Sequence, residues 1–273
     1  MIYEKFFNSH FRKEKIKMEF FDSHAHYNDE RFKEDMEQVV QDIYESGITS
    51  FVCAGYDLAG SKQAVKIAEA HPFIYATVGI SPNDVNEEWE KEIEQIEDIL
   101  KTKNRKVVAV GEIGLDYHYD IDKEMQKQAF IEQIKLANKY NLPIVIHTRE
   151  ATVDTVETLK QYPVNKKGVF HCCPFNKELI KEALKLGFYI SVAGPITFKN
   201  SKNAEEIANL IPLDKMLIET DSPYLAPEPV RGTRNDSRNV KIIAKKIADF
   251  RKIAIEEVAE NTYKNAKKIF NIK

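Results

Sequence analysis

The sequence predicts an α/β protein of the (β/α)8 TIM-barrel class, built as a single domain. Three observations predict it. From Met18 onward, short β-type runs alternate with longer amphipathic helical stretches. Eight such runs fit into a chain of 273 residues, the size of one barrel. Candidate metal-binding side chains stand where the first, fourth, fifth, sixth and eighth runs end. A doubly wound open sheet alternates in the same way, but it spreads its strand ends along an edge. A closed barrel gathers them into one mouth.

The elements follow in order. The first strand is expected at 20–24, followed by helical spacing over 30–46 that stops at Gly47, a residue suited to a helix C-terminus. Strands at 50–54 and 74–79 are each followed by an amphipathic stretch, 58–70 and 89–101. Strands at 107–112 and 144–147 precede helices at 123–140 and 152–161. A strand at 169–171 leads into a helix over 177–186, stopped by Gly187, and a strand at 189–192 leads into one over 204–210. The eighth strand is expected at 216–221, and helices at 239–250 and 255–270 close the chain. Nothing in the sequence reads as an internal repeat, a low-complexity stretch or a linker.

Residues 1–17 stand apart. They mix Phe6, Phe7 and Phe11 with Arg12, Lys13, Glu14, Lys15 and Lys17, lack an unbroken apolar stretch, and make a poor signal peptide. They are read as an appendage to a catalytic core spanning 18–273.

Composition narrows the function. A net charge of -3 argues against a protein that coats nucleic acid through a broad basic surface, while leaving room for a local basic patch. Cys53, Cys172 and Cys173 form no C-x-x-C pair, which points to a reducing compartment and a cytoplasmic protein. No apolar run approaches the length needed to cross a bilayer.

The chemistry begins at His24-Ala25-His26, closing the first run. In a regular strand, residues two apart share a face, so the two imidazoles would project side by side, half of a divalent-metal site. Glu112, His147, His171 and Asp221 supply further ligand types at other strand ends. Four histidines, one glutamate and one aspartate suffice for two ions about 3.5–4 Å apart sharing a bridging carboxylate. Mixed nitrogen and oxygen donors suit Zn, Mn, Fe or Ni, and an all-oxygen cage would suit Mg. Any one of these residues could be merely a solvated strand end; six together are hard to explain that way. By alternation Glu219 falls just below Asp221 and needs hydrogen-bond partners there.

From Met18 to its C-terminus the chain resembles the TatD-type metal-dependent deoxyribonucleases among the amidohydrolase-like barrels. The resemblance rests on Asp22-Ser23-His24-Ala25-His26, on the segment Gly111-Glu112-Ile113-Gly114-Leu115-Asp116-Tyr117, and on Pro143-Ile144-Val145-Ile146-His147-Thr148-Arg149. It rests also on His171-Cys172, on Ser191-Val192-Ala193-Gly194-Pro195-Ile196-Thr197-Phe198, and on Glu219-Thr220-Asp221-Ser222-Pro223-Tyr224-Leu225-Ala226-Pro227. It implies that His24, His26 and Asp221 hold one ion, His147 and His171 the other, and that Glu112 bridges them. It further implies hydrolysis of DNA phosphodiesters, as an exonuclease or on single strands, with Asp221 and Glu112 as catalytic carboxylates. The chain departs from the family pattern at Cys172-Cys173-Pro174-Phe175, where an aromatic, a small residue and glycine are usual, and at Ser237, where proline is usual.

Phosphate binding calls for cations near the mouth. Arg149, Lys199, Arg231 and Arg234 are the candidates, with Arg238 beside them, and Tyr224 and Phe198 could stack on bases. A solvated charged loop is the plainer reading of the same residues. Asp116 is expected to shape its loop or support a ligand, and His71 and His10 to lie outside the chemistry. His118 follows the Asp116-Tyr117 loop near the mouth, where it could reach substrate. The cysteines are expected to be packed thiols, and Trp89 to pack its helix. Two rival functions remain: an amide or ester hydrolase of the same barrel class, such as a D-aminoacyl-tRNA deacylase, and a metal-binding barrel that serves partners without turnover.

Overall fold

Parallel strands buried on both faces need helices outside and a packed plug within, and the chain supplies both. A computed structural model describes residues 18–273, so the appendage expected at 1–17 lies outside the described residues. Strands β1 (Phe20–Ala25), β2 (Ile48–Ala54), β3 (Ile74–Val78), β4 (Val107–Asp116), β5 (Ile144–Arg149), β6 (Gly168–Phe170), β7 (Tyr189–Val192) and β8 (Met216–Ile218) pair in chain order in one sheet. Each pairing is parallel. Helices α1 (Met36–Glu45), α2 (Leu58–Ala70), α3 (Trp89–Lys101), α4 (Lys123–Tyr140), α5 (Thr152–Gln161), α6 (Lys177–Lys185) and α7 (Ala204–Leu210) make the crossovers. Helices α8 (Val240–Arg251) and α9 (Ile255–Ile269) complete the ring. Asp122 starts α4 by accepting a 2.7 Å bond from the Met125 amide, and Asn176 caps α6 in the same manner.

The strand edges meet at the seam between β8 and β1. The Asp221 amide donates to the His24 carbonyl at 2.9 Å, and the His26 amide donates to the Ser222 carbonyl at 2.6 Å. Below them the Asp22 carboxyl, fully buried, accepts from the Thr220 amide (2.9 Å), the Thr220 hydroxyl (2.5 Å), the Ser237 hydroxyl (2.6 Å) and the His24 amide (3.3 Å). Burial pushes this carboxyl up to about 7 against the pull of those donors. Side chains therefore close the seam, with backbone bonds joining above them.

Inside the barrel Phe21, Val52, Val108, Val145, Val169, Tyr189 and Leu217 form one apolar cluster, and Phe270 stacks on Phe21 at 6.2 Å to floor it. A larger cluster fills the layer between strands and helices. Two residues further along three of these strands stand Ser23, Ser191 and Glu219, all buried and hydrogen-bonded, with the serine hydroxyls 2.9 Å apart. The interior thus changes from apolar to polar towards the C-terminal ends of the strands.

Four expected elements differ. The helix expected over 30–46 is broken into a short 3-10 turn, Glu30–Phe32, and α1. The Arg31 carbonyl, which an unbroken helix would offer to the amide of Asp35, instead accepts from the Arg234 guanidinium at 2.7 Å. Strands β4 and β5 run on to Asp116 and Arg149, paired with one another along their extensions. Strand β8 ends early at Ile218, because the Thr220 and Asp221 amides turn to the Asp22 carboxyl and the His24 carbonyl.

Candidate metal centre

Regular alternation would put His24 on the face of Asp22, away from Ser23. A register shift between Asp22 and Ala25 in the β1–β2 pairing breaks that parity, and a second shift between Val110 and Ile113 does the same around Glu112. Such irregularities re-aim side chains at strand ends. Here the structure brings His24, His26, Glu112, His147, His171 and Asp221 together at the C-terminal mouth.

The six residues form two clusters with Glu112 between them. In the first, His24 Nε2 lies 3.1 Å from His26 Nε2, 3.2 Å from Glu112 Oε2 and 3.7 Å from Asp221 Oδ1. His26 Nε2 lies 3.7 Å from Glu112 Oε2 and 3.3 Å from Asp221 Oδ1. In the second, His147 Nδ1 and His171 Nε2 are 3.1 Å apart, and Glu112 Oε1 is 3.0 Å from one and 3.2 Å from the other. Each carboxylate oxygen of Glu112 thus faces its own pair of imidazoles.

This donor set fits a divalent ion in each cluster. Ligand bonds of about 2.0–2.2 Å in a tetrahedral arrangement put neighbouring donors about 3.3–3.6 Å apart; the separations in the first cluster, 3.1–3.7 Å, bracket that range, and those in the second, 3.0–3.2 Å, fall just below it. The outward-facing nitrogens are held as donors: His147 Nε2 faces Asp116 Oδ2 at 2.9 Å, His171 Nδ1 faces Glu219 Oε1 at 3.3 Å, and His26 Nδ1 faces the Ala54 carbonyl at 3.3 Å. Protons placed there leave the inward nitrogens with free lone pairs, the arrangement that metal-bound histidines use. His24 is the exception. Its Nδ1 is buried without a partner, and its ring stacks on His171 at 4.0 Å.

Electrostatics agree. Burial pushes Glu112 up, but His171, His147 and His24 outweigh it and hold the carboxylate well below its usual range. Burial also pushes His171 down, and Glu112 with Glu219 reverses that, lifting it well above its usual value. His24, with His171 stacked against it, is pushed down by burial. Asp221 is raised by burial and lowered more by His26, His171 and His24, so it stays ionised. The carboxylates thus favour a proton on His171, which an ion would have to displace before the inward nitrogen could bind it, so protons and metal compete for this cluster.

The mouth above is a cavity of about 760 Å³. Asp29, Tyr56, Asn83, Asp84, Tyr119, Arg149, Cys172 and Tyr224 join the metal-site residues in its lining. Arg149 is the cation of that lining, 5.7 Å from the Tyr119 ring centre. Burial pushes the Cys172 thiol well up, which keeps it protonated and unsuited to nucleophilic attack. Glu219 accepts from the Cys172 amide at 2.5 Å as well as facing His171, and Asp116 accepts from the His118 amide at 3.0 Å while facing His147. His118 itself is exposed, 2.9 Å from Glu150. Asn83, Asp84 and Tyr119 escaped the sequence reading; their signal was their place just after the third and fourth strands.

The other proposed phosphate contacts lie elsewhere. Lys199 lines a separate surface hollow with Glu205, Glu206 and Lys246. Arg231 lies 4.1 Å over the Phe198 ring, so the two cover each other. Arg234 grips Asp35 through both guanidinium ends, at 2.9 and 2.6 Å, besides holding the Arg31 carbonyl. It is a loop clasp. Arg234→Ala should therefore lower stability by about 1 kcal/mol, the upper end for a half-exposed pair, read as a shifted urea midpoint. Activity on oligonucleotides and on phosphate-free esters should change by the same small factor; a selective loss on oligonucleotides would restore Arg234 as a phosphate contact.

Comparison with known proteins follows the same lines. A family model described as TatD related DNase matches residues 21–271. An uncharacterized metal-dependent hydrolase of Bacillus subtilis, YabD, is 41% identical over 254 residues, covering 92% of this chain and 99% of that protein. Another, YcfH of Escherichia coli K12, is 33% identical over 257 residues, covering 92% and 95%. The crystal structure of YjjV, a TatD homolog from Escherichia coli K12, matches with a TM-score of 0.90 at 27% identity, covering 94% of this chain and all of that one (100%). The organophosphorus hydrolase of Deinococcus radiodurans shares the fold at 14% identity, with a TM-score of 0.66 and 93% of each chain covered.

Proposed function

Since this chain belongs to the TatD family of metal-dependent hydrolases, we propose that it hydrolyses phosphodiester bonds of DNA, from strand ends or in single strands, at a site built for two divalent ions. The observation that carries this reading is the division of Glu112, one oxygen facing His24 and His26, the other facing His147 and His171. His24, His26 and Asp221 would hold one ion and His147 and His171 the other, with Glu112 shared. Bound there, the ions supply Lewis acidity, which acidifies water and offsets charge on the phosphate.

The protein's own groups have separate tasks. Asp221, kept ionised by the imidazoles around it, takes the proton of the attacking water. Glu219 and Asp116 fix the ring orientations of His171 and His147. Arg149 meets the phosphate with a planar fork. Tyr119 and Tyr224, 52% and 41% exposed, flank the cavity where bases could stack. The free thiols suit work in the cytoplasm.

The test is a panel of single-stranded DNA, duplex DNA, RNA and a carboxyl ester, each assayed with added Mn and with EDTA. Cleavage of single-stranded DNA should depend on the metal, and elemental analysis of loaded protein should find about two ions per chain. Carboxyl-ester turnover with no DNA cleavage would turn the reading to acyl hydrolysis. Loaded protein without bound metal would sink the two-ion site.

A further inference from the structure

A second concavity lies at the end of the barrel opposite the metal centre. It measures about 860 Å³ and is lined by residues that lead into strands: Arg105 ahead of β4, Lys166 and Lys167 ahead of β6, and Lys215 ahead of β8, joined by Lys268 from α9 and by Lys273 beyond it. No Asp or Glu side chain lines it. Among the described residues, none of these six cations has an Asp or Glu carboxylate within ion-pair distance. Lys33, Lys91, Lys101, Lys135 and Lys185, by contrast, all pair with an acid three residues away. In a chain of net charge -3, six such cations gathered in one hollow are a local excess that folding does not need. The mouth has the reverse character, with Asp29, Asp84, Glu112, Asp116 and Asp221 set against Arg149.

We propose that this N-terminal face binds the phosphodiester backbone of a single-stranded nucleic acid. The cations come from four separate segments around the hollow, so one small phosphate would meet only one or two of them. A strand that carries a phosphate on every nucleotide meets several in succession. Lysine heads on flexible stems suit a backbone read by charge and not by sequence. The hollow is floored by buried Val107, Val108, Tyr189 and Phe270, and a single strand can bend its backbone down to cations set in such a hollow, which a stiff duplex resists. A membrane surface fits poorly, since among the described residues the large exposed apolar side chains Tyr44, Tyr119, Val153 and Tyr224 all lie outside this lining. The inference goes beyond the hydrolytic reading and does not depend on it.

The experiment uses the full chain in EDTA, so that cleavage and metal-held binding are both removed. Fluorescence anisotropy follows a labelled oligothymidylate of about 20 nucleotides as salt is varied. Wild-type protein should bind it, with log affinity falling by about 0.7 per phosphate contact for each unit of log salt. The double variant Lys166→Glu/Lys268→Glu should bind about tenfold more weakly or worse, with a slope shallower by about 1.4 as two contacts are lost. Both lysines are exposed and unpaired, so its thermal melt should match wild type, and Lys166→Ala/Lys268→Ala serves if it does not. Hydrolysis of a small chromogenic phosphodiester with Mn should stay unchanged. Equal affinity and slope in wild type and variant, or no wild-type binding at low salt, would overturn the proposal. So would duplex DNA bound as tightly as single strand, or polyglutamate displacing the oligonucleotide at equal charge. Binding in EDTA together with a failure to cleave DNA in Mn would sink the nuclease reading and leave this one standing.

Discussion

Asp221→Asn is expected to lower hydrolysis about 10²–10⁴-fold, the range for losing a positioned general base, while the protein folds as before. Asparagine keeps the shape of the side chain and removes both its basicity and its negative charge. The Asp221 carboxylate faces His26 at 3.3 Å and His24 at 3.7 Å, so its replacement also weakens the first cluster's hold on a cation. The second cluster, His147, His171 and Glu112 Oε1, is left intact. Steady-state assays at saturating Mn separate the two effects. Lost affinity alone is rescued by excess metal, whereas a lost proton acceptor is not. Near-wild-type turnover at any metal concentration would show that another group takes the proton.

Asp22→Ala is expected to destabilise the fold by about 3 kcal/mol, while Asp22→Asn costs less than half as much. The alanine takes from the buried Thr220 and His24 amides the carboxyl oxygen they share. Each orphaned buried donor costs about 1–3 kcal/mol. Asparagine preserves that acceptor, since both amides point at the same carboxyl oxygen. The other oxygen takes the hydroxyls of Thr220 and Ser237, and hydroxyls can rotate to accept from an amide NH₂ instead. With burial pushing the carboxyl up to about 7, a neutral amide also resembles the group it replaces. Thermal melts read the difference, at roughly 2–4 °C per kcal/mol for a large domain. Equal losses in the two variants would mean that charge, and not the acceptor atom, holds the seam.

The strands and most helices were legible because each carries its own periodicity, and several helical bounds, such as Leu58–Ala70 and Lys123–Tyr140, match the sequence reading. The ligand types were legible because they cluster at strand ends. What could not be read were interactions between distant segments. The break between Glu30–Phe32 and α1 depends on Arg234, about two hundred positions away, and the same pairing withdraws that arginine from phosphate binding. A run of arginines after the last strand looks identical whether or not an aspartate waits for one of them. The inward turn of His24 depends on a register shift against β2, which alternation within β1 cannot show. Ser237, a departure from the family's usual proline, had no visible purpose in the sequence. In the fold its hydroxyl reaches Asp22 and its amide donates to the Tyr27 hydroxyl at 2.8 Å, two bonds that proline could not make.

Asp22 and Thr220, which close the seam, are 198 residues apart in the chain. A ribosome adding about 5–20 residues per second needs roughly 10–40 s to travel from one to the other. Throughout that interval the nascent chain carries His24 and His26 with neither Asp221 nor the last strand edge against which they are aligned. The hydrolytic centre therefore comes into being only after the eighth strand, and it cannot form on any fragment released before it. Translation has to pass the eighth strand before the enzyme can touch its substrate, so a synthesis interrupted earlier yields inert polypeptide and not a loose, half-regulated hydrolase.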